Sequence, residues 1–174
     1  MTTIDSDSTE FPEPASHRTI FSMRPATVVD GEGILACLRA AFDEYAAEYT
    51  EGAFAATVLT RESLHDRLRT MTVWVAVTTH DRIVGTLTAA ITDHAEGHLR
   101  GMAVHPEFQQ RGIAASLLKA ALADLQRRGC NRVTLNTTDP LRTAVTFYES
   151  HGFRPTGRVS PFFGMTLREY AREI

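Results

Sequence analysis

A long amphipathic helix expected over residues 111–128 constrains the fold more than any other feature of the sequence. Its apolar residues recur at three- and four-residue steps and form one stripe: Ile113, Leu117, Leu118, Ala121, Leu122 and Leu125. Gly129 ends the helix. Strands are expected on both sides of it, at 96–104 and 132–136. Because a helix of this length is the usual crossover between parallel strands, the two strands should lie parallel in one sheet.

The preceding segment predicts antiparallel pairing instead. Strands at 73–77 and 83–92 flank the tight turn His80-Asp81-Arg82 and form a hairpin. The remaining elements are strands at 18–24, 153–159 and 162–168, helices at 28–46, 60–70 and 141–150, and an ambiguous segment at 47–59. Asp139 should cap the last helix, with Pro140 at its first position. The expected fold is α/β, with a mixed, mostly antiparallel central sheet flanked by helices.

The charge of the chain is unevenly distributed. Residues 1–17 contain four acidic residues and no Lys or Arg, and they predict a flexible acidic tail ahead of a single domain at 18–174. That domain retains all 18 basic residues against 17 of the 21 acidic ones. A near-neutral domain disfavours a broad nucleic-acid-binding surface, which would carry a basic stripe.

The two cysteines predict no metal site. Cys37 and Cys130 lie far apart and fit no metal-ligand spacing, so reduced, partly buried thiols are expected. No stretch approaches the roughly 18 apolar residues of a membrane span, and the N-terminus does not read as a signal peptide. We therefore expect a cytoplasmic protein without a membrane partner.

The segment from Met102 to Ala114 predicts an anion site. It runs from a strand through a proline and a polar loop to Gly112, where the long helix begins. Free N–H groups and the helix dipole favour phosphate at such a terminus. Gly112 allows close backbone approach, Ala114 keeps the next turn thin, and Arg111 adds positive charge. On this local pattern alone, a turn that binds nothing stays an alternative.

Two ordered motifs carry a family resemblance. Gln109, Gly112 and Ala114 fit a signature of Gln or Arg, two residues, Gly, one residue, then Gly or Ala. Downstream, residues 144–153 read Ala-Val-Thr-Phe-Tyr-Glu-Ser-His-Gly-Phe, similar to a closing helix that typically ends in Gly-Phe. On both motifs, about residues 18–170 resemble the GNAT superfamily of acyl-CoA-dependent N-acetyltransferases. Leu141 departs from this family, since many relatives carry Asn there.

The resemblance implies transfer of an acetyl group from acetyl-CoA, a co-substrate, to a primary amine by direct attack in a ternary complex. The parallel strands would splay, and the pantetheine arm would lie in the gap. The cofactor-binding residues implied are Met102, Ala103, Val104, Gln109, Gln110, Arg111, Gly112, Ile113, Ala114, Ala115 and Asn136. Asn136, on the preceding strand, is expected to make a cofactor or substrate contact in place of the residue at 141.

The resemblance also assigns catalytic candidates. Tyr148 is the expected acid for the departing thiolate, because a phenol with pKa ~10 is protonated at neutral pH. Glu96 and His98 are both candidate bases, and alternation along the strand should place them on one face with Arg100 and Met102. The aromatic residues in segments that border the acceptor pocket of relatives are Tyr45, Tyr49, Phe54, Phe162 and Phe163.

Other functions remain open at this stage. A non-catalytic acyl-CoA sensor would explain Leu141 and the absence of one clear base. A Rossmann-type nucleotide-binding protein is disfavoured by the hairpin and by the late position of Gly112. The acceptor, a small-molecule or peptide amine, is not specified by the sequence, and the resemblance leaves a homodimer open.

Overall fold

The computed structural model describes residues 21–92 and 94–174. The expected acidic tail at 1–17 and the first three residues of the expected strand at 18–24 lie outside the described residues. The seven strands within these ranges are β1 (Phe21–Pro25), β2 (Thr72–Thr78), β3 (Ile83–Ile91), β4 (Gly97–Val104), β5 (Arg132–Thr138), β6 (Arg154–Phe162) and β7 (Met165–Glu173). The five α-helices are α1 (Gly31–Phe42), α2 (Glu51–Val58), α3 (Arg61–Thr70), α4 (Ile113–Arg127) and α5 (Arg142–Ser150).

One sheet contains all seven strands, in the order β1-β2-β3-β4-β5-β7-β6. Within the described ranges, β4 and β5 are the only parallel neighbours, and the other pairs are antiparallel. The α4 crossover joins the parallel pair. The predicted mixed, mostly antiparallel sheet flanked by helices is therefore confirmed.

Two apolar cores cover the two faces of the sheet. On one face α4 packs Leu117, Leu118 and Leu125, each at most 1% exposed, against strands β2 to β5. On the other face α1 packs Ile34 and Leu38 against β3 and β4. Truncating one such leucine to alanine typically costs about 2–5 kcal/mol, so these two layers hold the strands in place.

A partly buried ion pair fixes the entry into α1. The Asp30 carboxylate accepts hydrogen bonds from Arg24 Nη1 at 2.7 Å, Arg24 Nη2 at 2.8 Å and the Thr27 amide at 2.7 Å. The Arg24 guanidinium is the main reason that the pKa of Asp30 falls to about 2. The carboxylate is therefore ionised across the neutral range and ties the end of β1 to α1.

Several element boundaries differ from the predictions. The ambiguous segment 47–59 contains α2, whose N-cap Thr50 accepts a hydrogen bond from the Ala53 amide at 3.2 Å. The last hairpin is longer than expected and turns at Phe163 and Gly164, both with positive φ. An irregularity between Pro155 and Val159 lets β6 continue as an edge strand, where proline is tolerated.

The prediction that Asp139 caps the last helix is wrong. The N-cap residue of α5 is Leu141, and no side-chain cap hydrogen bond is present there. The Asp139 carboxylate instead accepts a hydrogen bond from Arg168 Nε at 2.6 Å across to β7. Pro140 precedes the helix rather than opening it.

No helix of the described residues is long and apolar enough to cross a membrane.

Candidate functional site

The two parallel strands separate after three residue pairs. Gly97 pairs with Val133, His98 with Thr134 and Leu99 with Leu135, and no further pair follows within the described strands. Both strands nevertheless continue, β4 to Val104 and β5 to Thr138. Their carboxyl-terminal halves therefore border a cleft in the middle of the sheet, as expected for a splayed pair.

A β-bulge lies where β4 leaves β5. Thr88 pairs with Arg100 and Thr86 pairs with Ala103, so two residues of β4 oppose one residue of β3 between them. Gly101 adopts φ +63°, a left-handed conformation that suits glycine. The bulge bends β4 at the start of the cleft.

The bulge reverses which side chains face which core. Leu99 and Met102 both pack against the α4 core, although they are three positions apart, whereas Ala103 joins the α1 core. The prediction that Met102 shares a face with Glu96 and His98 is wrong, because the extra residue shifts the alternation by one.

A cavity of about 1020 Å³ fills the cleft. Twelve of the fourteen site residues expected from the sequence line it: His98, Met102, Ala103, Val104, Gln109, Gln110, Gly112, Ile113, Ala114, Ala115, Asn136 and Tyr148. Glu96 and Arg111 do not line it. The strands, the first turn of α4 and α5 thus bring widely separated segments to one site.

The first turn of α4 opens into this cavity. Gly112 is the N-cap residue with φ +78°, and no side chain caps the helix there. The first helical bond runs from the Ser116 amide to the Gly112 carbonyl oxygen at 3.0 Å, so the amides of Ile113, Ala114 and Ala115 have no acceptor within the helix. A Cβ placed on Gly112 would meet no heavy atom of residues 21–92 and 94–174 within 4 Å. The helix mouth is therefore accessible and carries positive dipole charge.

The loop before α4 is tied to the end of β4. Gln109 Nε2 donates a hydrogen bond to the Val104 carbonyl oxygen at 3.3 Å. Gln110 adopts φ +59°. The Arg111 guanidinium lies over the Phe108 ring, 5.2 Å from its centroid, and Arg111 is not among the residues that line the cavity.

Tyr148 reaches the cavity from α5. It is 7% exposed and packs edge-on against Phe147 and Phe153, with ring centroids 5.4 Å and 5.7 Å away. Burial raises the pKa of Tyr148 above its usual value. Its hydroxyl makes no hydrogen bond with another residue in the described part of the chain. The phenol therefore stays protonated at neutral pH and is free to donate.

His98 is the candidate base that faces the cavity. Its Nδ1 lies 2.9 Å from Thr134 Oγ1, and burial together with Arg100 lowers the pKa of the ring. Neutral imidazole therefore prevails at neutral pH. Glu96 instead forms an ion pair with Arg132 outside the cavity.

Further lining residues complete the site. Asn136 is exposed to the cavity, and Leu141 lines it where the expected pattern carries Asn. Of the five aromatic candidates, Tyr45, Tyr49 and Phe162 line the cavity, while Phe54 and Phe163 do not. The Tyr49 hydroxyl and Thr138 Oγ1 lie 2.6 Å apart, joining the segment after α1 to the end of β5.

Arg67 is a lining residue that the sequence did not indicate. It lies on α3 between Leu64 and Leu68, where a polar residue reads as the solvent-facing side of an amphipathic helix. No local signal distinguishes it from the neighbouring exposed arginines.

No group of three or more His, Cys, Asp or Glu side chains in the described ranges is placed to hold a metal ion.

Comparison with known proteins yields both a family match and structural neighbours. Residues 34–153 match the model of the acetyltransferase (GNAT) family. A GNAT-family acetyltransferase from Staphylococcus aureus Mu50 superposes with a TM-score of 0.74 at 20% identity, over 88% of this chain and 99% of that one.

Two further neighbours have the same fold. The PaiA N-acetyltransferase from Thermoplasma acidophilum, solved in complex with coenzyme A, gives a TM-score of 0.75 at 16% identity, over 89% of this chain and 99% of that one. The ribosomal-protein-S18-alanine N-acetyltransferase from Escherichia coli gives 0.71 at 15% identity, over 89% and 94%. At these identities the likeness is one of fold.

Proposed function

Since the chain belongs to the acetyltransferase (GNAT) family, we propose that it moves an acetyl group from acetyl-CoA to a primary amine by direct attack in a ternary complex. One observation carries the proposal. The uncapped mouth of α4 opens into a cleft that begins where two parallel strands stop pairing. A diphosphate and an extended thioester arm need those two features side by side.

The residues that line the cavity support a place for each part of the coenzyme. The diphosphate lies against the amides of residues 112–115, where the helix terminus supplies partial positive charge. The absence of a Cβ at Gly112 leaves that approach open. The pantetheine arm lies along Met102–Val104, because β5 no longer occupies the neighbouring edge of β4 there. Asn136 contributes a side-chain contact from the opposite wall.

Residues at the edge of this site have smaller roles. Gln109 holds the carbonyl of Val104 and shapes the loop, while Gln110 adds to the wall beside the phosphates. Arg111 lies over Phe108 at the outer edge and contributes long-range positive charge.

Acetyl-CoA supplies an activated acetyl thioester. The amine nitrogen forms a bond to the thioester carbonyl carbon, and a backbone N–H near Val104 stabilises the developing negative charge on its oxygen. His98 Nε2 accepts the proton that the amine loses, since Nδ1 is held against Thr134. The carbon–sulfur bond then breaks, and the Tyr148 hydroxyl protonates the departing thiolate of coenzyme A.

A non-catalytic acyl-CoA sensor is the second candidate, and Leu141 favours it. This apolar residue lines the cavity where many relatives carry an amide side chain. The other candidate base, Glu96, is held in an ion pair with Arg132.

Thiol release separates the two functions. We expect acetyl-CoA binding by titration calorimetry and coenzyme A release that depends on an added amine, measured over a panel of amino acids, peptides, polyamines and aminoglycosides. Tyr148→Phe should bind acetyl-CoA normally and release thiol slowly. Binding without release on any amine would favour the sensor, and the absence of binding would reject both candidates.

A further inference from the structure

Two arginines face the cavity without an acidic partner. Arg67 comes from α3 and Arg100 from β4, and both line the cavity. Neither forms an ion pair or a side-chain hydrogen bond with any residue of the described ranges. Arg132 and Arg168, on neighbouring strands, are paired with Glu96 and Asp139.

The Arg67 guanidinium lies directly against the bulge of β4. An ideal Cβ placed on Gly101 would lie only 2.9 Å from Arg67 Nη1. Burial, with a further contribution from Arg100, lowers the pKa of Arg67 to about 10. Desolvating one cation beside another costs free energy unless an anion lies between them. The pair is therefore incomplete without a negatively charged group.

The position of the pair separates it from the diphosphate site. Arg100 pairs with Thr88 and Val104 pairs with Gly85, three residues apart on β3, so at about 3.3 Å per residue Arg100 lies on the order of 10 Å along β4 from Val104, which is next to the mouth of α4. It stands two residues from His98 on the same face of β4, roughly 7 Å away. The cations thus adjoin the proposed base, on the side of the cavity where the acceptor amine must enter.

Aromatic residues and one acidic residue also line the cavity. Tyr45 and Tyr49 belong to the segment that follows α1, Phe162 ends β6, and all three line the cavity. Glu44 is the one carboxylate among the described lining residues. The arginines therefore outnumber the carboxylates among the described lining residues.

We propose that Arg67 and Arg100 bind an anionic group of the acceptor, so that the substrate is a primary amine bearing a carboxylate or phosphate a few bonds from its nitrogen. This inference rests on the proposed acetyl transfer. Binding of the anionic group orients the amine toward His98 and relieves the repulsion between the two guanidinium groups.

Matched amines test the proposal on the full chain. Thiol release at saturating acetyl-CoA is compared between each amino acid and its carboxamide, and between O-phosphoethanolamine and ethanolamine. We expect kcat/KM to be at least about tenfold higher for the anionic member of the preferred pair, the effect of one charge-assisted contact. The preferred pair then distinguishes carboxylate from phosphate.

Charge variants assign the effect to residues. Arg67→Gln and Arg100→Gln should each lower kcat/KM for the anionic amine by about 10- to 100-fold, mainly through KM. The KM for acetyl-CoA should stay unchanged. The kcat/KM for the carboxamide should change much less than that for the anionic amine, with a small effect of Arg100→Gln through the pKa of His98. Arg67→Lys should recover part of the loss, and Arg100→Glu should shift preference toward the carboxamide. Arg69→Gln is the matched control, because Arg69 is exposed on the same helix and pairs with Asp66.

The outcomes separate this inference from the function on which it rests. Equal rates for both members of every pair would overturn the anion site and leave acetyl transfer standing. A rise in the KM for acetyl-CoA in the glutamine variants would also overturn it, by assigning the arginines to the coenzyme. Bound acetyl-CoA without transfer to any member would overturn the proposed function and this inference with it.

Discussion

Replacing Gly112 with alanine should separate coenzyme binding from folding. Gly112 has φ +78°, so an alanine there costs about 1–2 kcal/mol of folding free energy from the left-handed backbone alone. Its Cβ would collide with none of the residues that the structure describes, because none has a heavy atom within 4 Å. For a domain of this size the melting temperature should fall by about 2–8 °C.

The effect on acetyl-CoA binding should be much larger. The new methyl group projects at the helix mouth and keeps a phosphate from the first-turn amides. Losing one charge-assisted hydrogen bond costs about 1.5–3 kcal/mol, which corresponds to an increase in Kd of about 10- to 150-fold. Titration calorimetry with acetyl-CoA measures Kd, and differential scanning calorimetry measures the melting temperature.

Gly129→Ala supplies the matched control. Gly129 follows the other end of α4, has φ +90°, and likewise has no heavy atom within 4 Å of an added Cβ. It should show a similar loss of thermal stability with an unchanged Kd for acetyl-CoA. If Gly112→Ala binds acetyl-CoA as tightly as Gly129→Ala does, the helix mouth is not the diphosphate site.

Three further substitutions probe other groups. Tyr148→Phe should lower kcat by about 10²- to 10⁴-fold, as measured by steady-state thiol release. Thermal stability and acetyl-CoA affinity should not change, because the hydroxyl has no partner among the described residues. An unchanged kcat would exclude the acid role. Burial lowers the pKa of His98, so with an acceptor amine of pKa below about 5 the kcat should rise with pH only below about 6.5. His98→Gln should abolish that rise, and a rise that persists would assign it to another group. Asp30→Asn should cost about 1–2 kcal/mol at pH 7 in urea unfolding. The Asp30 carboxylate contributes fully to the free energy of unfolding above its ordinary pKa near 3.8, and this contribution falls as the pH drops toward about 2. The stabilities of the parent protein and Asp30→Asn should therefore converge in acid. A difference in stability that is constant with pH would contradict the ion-pair origin.

The sequence predicted those parts of the fold that follow from periodicity. The stripe of α4 and its two flanking strands required a parallel pair, and the apolar runs around Asp81 required a hairpin. Both follow from local patterns of about ten to twenty residues. The end of the β4–β5 ladder depends on packing between distant segments, and only the family resemblance indicated it.

The features that were missed share one physical cause. Gly101 reads as an ordinary strand residue, yet its bulge decides which way Met102 and His98 face. Arg67 reads as a solvent-facing helix residue, and only the tertiary structure places it in the cavity. Asp139 has the composition of a cap, but Arg168 on a distant strand takes its carboxylate. In each case a long-range contact overrides a local pattern.

Because β4 and β5 share only three residue pairs in the described strands, the sheet consists of two halves joined by a short stretch of pairing. Strands β1 to β4 form one half of the sheet, and β5, β7 and β6 form the other half. A molecule bound in the gap contacts both β4 and β5 where they no longer pair, and so it couples the two halves of the sheet. Coenzyme binding should therefore slow amide hydrogen exchange in both β4 and β5 along the gap. The two halves of the sheet should then unfold together, in one cooperative transition.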